Sequence, residues 1–225
     1  MFNKYTREAR FFPTIISAIP ILLFQYAFFN KEISDFLAFL GNIEIVGDIT
    51  ISIVILYFVA QMNRFISKIF FEKKEIYMPT TDFLLFQNFE YSKEYKKKIY
   101  EKLEKDFDIK LPSKSSQEKD ELNARKRISE TMSLARKKIG NGKLLLQHNI
   151  EYGFWRNLSG GSILAILFSG IITYLSFTQN KDTILIISII LLLGFLVILI
   201  FNRFFIDRVG KLYARVLIQE YMEQK

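Results

Sequence analysis

The sequence predicts an all-α integral membrane protein with four transmembrane helices, arranged as two hairpins around a helical cytoplasmic middle region. Three observations predict it: four long uncharged apolar windows, a Lys/Arg distribution that falls almost wholly to one side of them, and a charged middle section with helical periodicity. A helix rises about 1.5 Å per residue, so crossing a hydrocarbon core of about 30 Å takes roughly 20 apolar residues.

The first window, Phe11–Phe29, has 19 residues without a charge. Pro13 stands near its start and Pro20 marks an expected kink. Lys4, Arg7 and Arg10 before it imitate a signal peptide. Tyr26, Phe28 and Phe29 stand where cleavage needs small residues, so the run reads as a retained helix. The second window is the shortest, with 15 uncharged residues between Asp48 and Arg64. It must borrow from Ile43–Gly47, giving a span of about 45–63. The third and fourth spans, about 158–178 and 183–202, lie in uncharged stretches of 24 and 20 residues. Three parts follow: a first hairpin (1–63), a cytoplasmic helical region (64–156), and a second hairpin with a short cytoplasmic tail (157–225).

Orientation follows from Lys and Arg. Of 31, the N-terminal ten residues hold three, Arg64–Arg156 holds 21 and Arg203–Lys225 holds five. The two outer loops hold only Lys31 and Lys181, and the first is acidic, with Glu32, Asp35, Glu44 and Asp48. The positive-inside rule therefore places both termini in the cytoplasm of a cell (inner) membrane. Tyr152, Trp155, Arg156 and Arg203 are the expected membrane-interface residues.

In the middle region, Asn63–Phe71 reads as a helical extension at the interface, and Pro79 breaks the chain. Phe83–Phe86 fits a strand or a helical turn. Ser92 is the expected N-cap of a helix reaching Phe107, with Tyr95, Ile99 and Leu103 on one stripe. A second helix is expected over Glu118–Ile139, stopped by Gly140-Asn141-Gly142. A third, Leu144–Tyr152, leads into the third span. The stripes are narrow, too little for an independent core, so these helices are expected to pack on each other, on helix extensions or on neighbouring subunits.

The chain has no cysteine and one histidine, which excludes thiol nucleophiles and thiolate metal sites. His148 with Glu151 three residues on is a lone pair, which favours a structural role over a metal site. No nucleophile elbow or P-loop is present, because Gly140-Asn-Gly-Lys143 lacks the second glycine spacing and the following Ser/Thr. No catalytic, metal or cofactor site is therefore assigned, and the chain is not expected to be an enzyme. The basic clusters, represented by Lys96, Lys97, Arg125, Arg127, Arg136 and Lys137, could face an anionic ligand: lipid headgroups, a phosphorylated small-molecule signal, or nucleic acid. Interleaved acids make nucleic acid the weakest of these and favour a solvated, positive-inside surface. Gly161, Ala165, Ser169 and Thr173 fall every fourth residue on the third span. Such spacing lets helices approach closely in lipid, within the hairpin or in a homo-oligomer, or lines a pore together with Ser162 and Ser176.

The segments Pro79-Thr-Thr-Asp-Phe-Leu-Leu85 and Asn149-Ile-Glu-Tyr-Gly-Phe-Trp-Arg-Asn157 have the look of motifs from bacterial membrane proteins. The two-plus-two layout resembles the small membrane effectors of bacterial anti-phage and nucleotide-signalling systems, the SLATT and four-transmembrane groups. That resemblance implies an oligomer that breaches the bilayer in antiviral defence once a partner sensor fires. It assigns no individual residue. The alternative is a non-conducting anchor or scaffold for a cytoplasmic partner.

Overall fold

A computed structural model describes residues 3–39, 44–72, 74–140 and 142–224. Among the described residues the protein is helical throughout, with no strand. Four helical segments are long and apolar enough to cross a membrane: Thr6–Phe29, Ser52–Phe70, Leu144–Thr178 and Asp182–Ile200. This is a multi-pass membrane protein. Helix α2 (Glu44–Phe70) covers the whole of the expected 45–63 span and continues without a break through Arg64 and Lys68. Residues 40–43 of the expected outer loop, and Asn141 of the expected helix stop, lie outside the described residues.

The chain divides into two compact units: residues 1–72 with 153–206, and residues 73–152 with 207–225. Unit 1 holds a π-helical turn (Thr6–Phe11), α1 (Phe12–Phe39), α2, most of α7 (Lys143–Thr178) and α8 (Asp182–Ile200). The π-helical register shows in the Phe12 amide, which donates to the Arg7 carbonyl. Pro20 sits inside the continuous α1. Phe24 of α1 meets Phe168 of α7 edge-on at 5.6 Å. Thr173 of α7 shares a 2.9 Å hydrogen bond with Ser188 of α8. Asn180, in the turn between α7 and α8, takes the left-handed conformation (φ 52°) that asparagine tolerates best after glycine.

Unit 2 contains α3 (Pro79–Asp82), α4 (Lys93–Phe107), α5 (Lys114–Lys119), α6 (Glu121–Ile139), the first turns of α7, and most of α9 (Asn202–Glu223). Ser92 caps α4 by accepting from the Tyr95 amide. The expected single helix from Glu118 is instead two, because Asp120 leaves the helical conformation and caps α6 through the Asn123 amide. Gly140, with φ 73°, ends α6 where a side chain would be strained. The stretch read as a short tail is a helix. Ala214, Leu217, Ile218 and Tyr221 of α9 join Ile99, Leu103, Ile128, Met132 and Ala135 in one buried cluster. The narrow stripes of α4 and α6 thus find in α9 the third face that completes a core. Each fully buried Leu or Ile there contributes about 1.5–3 kcal/mol.

Candidate functional site

The feature of unit 1 that sequence periodicity did not anticipate is a seam of polar side chains buried among apolar helices. It starts with Pro13. Proline has no N–H, so Pro13, at the passage from the π-helical turn into α1, has no amide to offer the Ala9 carbonyl four residues upstream. Asn157 of α7 supplies a donor from another helix, its Nδ2 donating to the Ala9 oxygen at 2.6 Å. The other end of the same amide, Oδ1, accepts from the Ser67 hydroxyl of α2 at 3.0 Å. Deeper in, Asn63 Nδ2 donates to Ser17 Oγ at 2.6 Å, and the Ser17 hydroxyl in turn donates to the Thr14 carbonyl. Asn157, Asn63, Ser67 and Ser17 are all 4% exposed or less. Asn63 Oδ1 is buried without a partner.

Two glycines make this seam possible. A Cβ on Gly160 would stand 2.6 Å from the Asn63 carbonyl oxygen and 2.8 Å from the Ser67 amide nitrogen. One on Gly161 would stand 2.6 Å from Ser17 Cβ and 2.7 Å from Asn63 Nδ2. The backbone of α7 therefore lies directly on α1 and α2, close enough for short polar side chains to bridge them. Hydrogen bonds between helices in lipid, where no water competes, tend to fix which faces meet.

Of the residues expected on the packing or pore-lining face, Gly161, Ala165 and Ser169 are buried within the chain. Ser162 and Ser176 are buried too, and Thr173 bonds Ser188 and the Ser169 carbonyl. Ser169 and Ser176 keep hydroxyls without a partner. Among the expected interface residues, Trp155 stacks on Phe205 at 4.0 Å, and Arg156 pairs with Glu72 at 2.5 Å. Tyr152, buried in unit 2, points its hydroxyl at the Met78 sulfur at 3.7 Å, and Arg203 is exposed.

The six residues of the expected anionic-ligand patch have unequal fates. Lys96 is 1% exposed, its ammonium donating to the Leu85 carbonyl at 2.5 Å and to that of Asn88. Burial pulls its pKa below the ordinary lysine value. It serves the Phe83–Phe86 segment, which is a turn running on from α3 and not a strand. Backbone groups in such a turn need partners. Tyr100 donates to the Leu84 carbonyl at 3.0 Å, and Gln117 accepts from the Phe86 amide at 2.9 Å. Arg125 is likewise engaged, bonding Asp82 at 2.5 Å and Glu121 at 2.7 Å over the Tyr77 ring. Its guanidinium holds the Glu121 carboxyl below the usual range. Lys97 pairs with Glu101 at 3.9 Å, and Arg136 lies over the Tyr213 ring. Arg127 and Lys137 are exposed.

Elsewhere in unit 2, Asp106 accepts from Lys138 at 2.8 Å and from the Tyr221 hydroxyl at 2.7 Å. Those two bonds, Lys138 first, hold its carboxyl below the usual range. Burial raises the Tyr221 phenol, and burial together with Tyr95 and Glu90 pushes Tyr91 up to about 12. His148 Nδ1 meets Glu151 at 3.0 Å, and among the described residues no group of three or more His, Asp or Glu is placed to hold a metal. Comparison with family models, with curated proteins and with solved structures finds no match.

Proposed function

We propose that the chain is a non-conducting, multi-pass anchor that presents a folded helical unit to a partner at the membrane. The observation that carries this reading is the fate of the small and polar face of α7. That face is the best material in the sequence for a pore lining, yet it packs against α1 and α2 of its own chain through Gly160, Gly161 and Asn157. A path for ions through one chain would have to part those helices and exchange the bonds of Asn157 and Asn63 for bonds to water, at about 0.5–1.5 kcal/mol for each bond lost. The Lys/Arg asymmetry supports an inner-membrane placement with both termini, and unit 2, in the cytoplasm. The core of unit 2 supports a self-contained docking surface for a cytoplasmic protein or an anionic small molecule.

One observation favours a second reading, the homo-oligomeric pore-forming effector of bacterial defence. The Ser169 and Ser176 hydroxyls, buried without partners, are groups that a rearranged, water-filled state would satisfy. Full-length protein reconstituted into vesicles loaded with a self-quenching dye separates the two. The anchor leaves leakage at the level of protein-free vesicles at every protein-to-lipid ratio. Release that climbs steeply with protein density overturns it in favour of the effector.

A further inference from the structure

Unit 1 carries a groove between the start of the first span and α2, floored by Asn63 and Asn157 of the seam, that the anchor role does not use. Its volume is about 410 Å³, within the range of about 300–1,000 Å³ over which proteins hold small ligands. Ile53, Leu56, Tyr57 and Ala60 of α2 line it at helical spacing, followed by Arg64 on the same face, while Arg10 lines it from the start of the first span. From Ile53 to Arg64 the groove runs about 16 Å along α2, at 1.5 Å per residue. It is apolar over most of that length and doubly cationic at one end.

Three polar side chains of its lining already bond within the chain. The Thr14 hydroxyl bonds the Arg10 carbonyl at 2.9 Å, Asn63 Nδ2 bonds Ser17, and Asn157 Nδ2 bonds the Ala9 carbonyl. The two guanidiniums are not so engaged. Neither has a carboxylate partner among the described residues, and Arg10 rests only over the Tyr5 ring at 5.4 Å. By contrast, Arg7 and Arg156 of the same unit pair with Glu8 and Glu72. Two guanidiniums that line one groove at the edge of hydrocarbon without a carboxylate call for an anion, and the anion that the bilayer supplies at that depth is a lipid phosphate.

We propose that this groove holds one anionic phospholipid, with Arg10 and Arg64 on its phosphodiester and an acyl chain along Ala60, Tyr57, Leu56 and Ile53. An apolar groove alone would accept any chain, whereas the unpaired cations at one end select the headgroup. The site stands whether or not the spans conduct.

Native mass spectrometry of the full-length protein in mild detergent tests it, with phosphatidylglycerol and phosphatidylcholine as probes. The wild type should retain one phosphatidylglycerol with at least tenfold preference over phosphatidylcholine. Arg10→Gln with Arg64→Gln should abolish the preference, and Ala60→Phe, which fills the groove but keeps both cations, should abolish retention. Arg203→Gln, outside the groove, should change nothing. The double variant leaves the packed interior untouched, so it decides alone should Ala60→Phe fail to fold. Equal retention of the two lipids by wild type, or full preference in the folded double variant, overturns the proposal. So does displacement of the lipid by inorganic phosphate alone, which would mark a simple anion site.

Discussion

Replacing Gly161 by leucine is expected to destabilise unit 1 by about 3 kcal/mol, the upper end of the usual cost of overpacking. The bare Cβ would already stand 2.6 Å from Ser17 Cβ, a separation that packed carbon atoms do not tolerate, and leucine adds three more carbons beyond it. Both neighbours that would have to give way are held: Ser17 by its bond to the Thr14 carbonyl, and Asn63 by its bond to Ser17. The helices must part, and the bridge from Asn157 to the Ala9 carbonyl should part with them. Thermal unfolding in detergent, followed by helical circular dichroism, reads the effect. Gly170→Leu is the matched control on the same helix, because a Cβ there meets nothing within 4 Å, and its transition should coincide with wild type. Equal transitions for the two variants would mean that the close approach at Gly161 is not formed.

The second large effect is in unit 2. Tyr221→Ala should cost about 3–5 kcal/mol, the range for emptying a large aromatic site in a core. Tyr221 is 0% exposed, stacks on Phe107 at 6.2 Å between ring centres, and donates to Asp106. Its loss leaves a cavity and removes one of the two donors that hold the Asp106 carboxylate. Hydrogen exchange should show faster opening of α4 and α6 amides in this variant, although the mutation lies in α9. If only the last turns of α9 exchange faster, the C-terminal helix is a tail after all and no part of the core.

These two sites mark the boundary of what could be read in advance. The four apolar windows were legible because lipid imposes a length and a polarity that no other residue needs to supply. The caps at Ser92 and Gly140 were legible because they act on their own backbone neighbours. Lys96 was not. It stands in a run of three lysines that reads as a solvated face, and what buries it is a pair of carbonyls, Leu85 and Asn88, brought over it by a turn. The same turn defeated periodicity at Phe83–Phe86, since its partners come from Tyr100 and Gln117 on other elements.

The α9 helix was legible in principle. Ala214, Leu217, Ile218 and Tyr221 keep a helical spacing, but Arg208, Lys211 and Arg215 close to a membrane exit suggest a simple basic tail. The seam was half visible. Glycine and serine at fourfold spacing announce close packing, but whether the partner is the same chain or another copy depends on Asn63, Ser67 and Asn157. Asn63 and Asn157 sit at the edges of apolar windows and Ser67 just beyond one, where a hydropathy count treats them as mere ends.

The central claim is that the polar seam closes within a single chain, and the absence of cysteine makes it directly testable. In a Ser17→Cys, Asn63→Cys double variant, two thiols replace side chains that now meet at 2.6 Å. Mild oxidation in native membranes, read on a non-reducing gel, should give a monomer of altered mobility that reverts with reductant. Cross-linked dimers and higher multimers in its place would put α1 and α2 of different chains face to face, and would contradict the account.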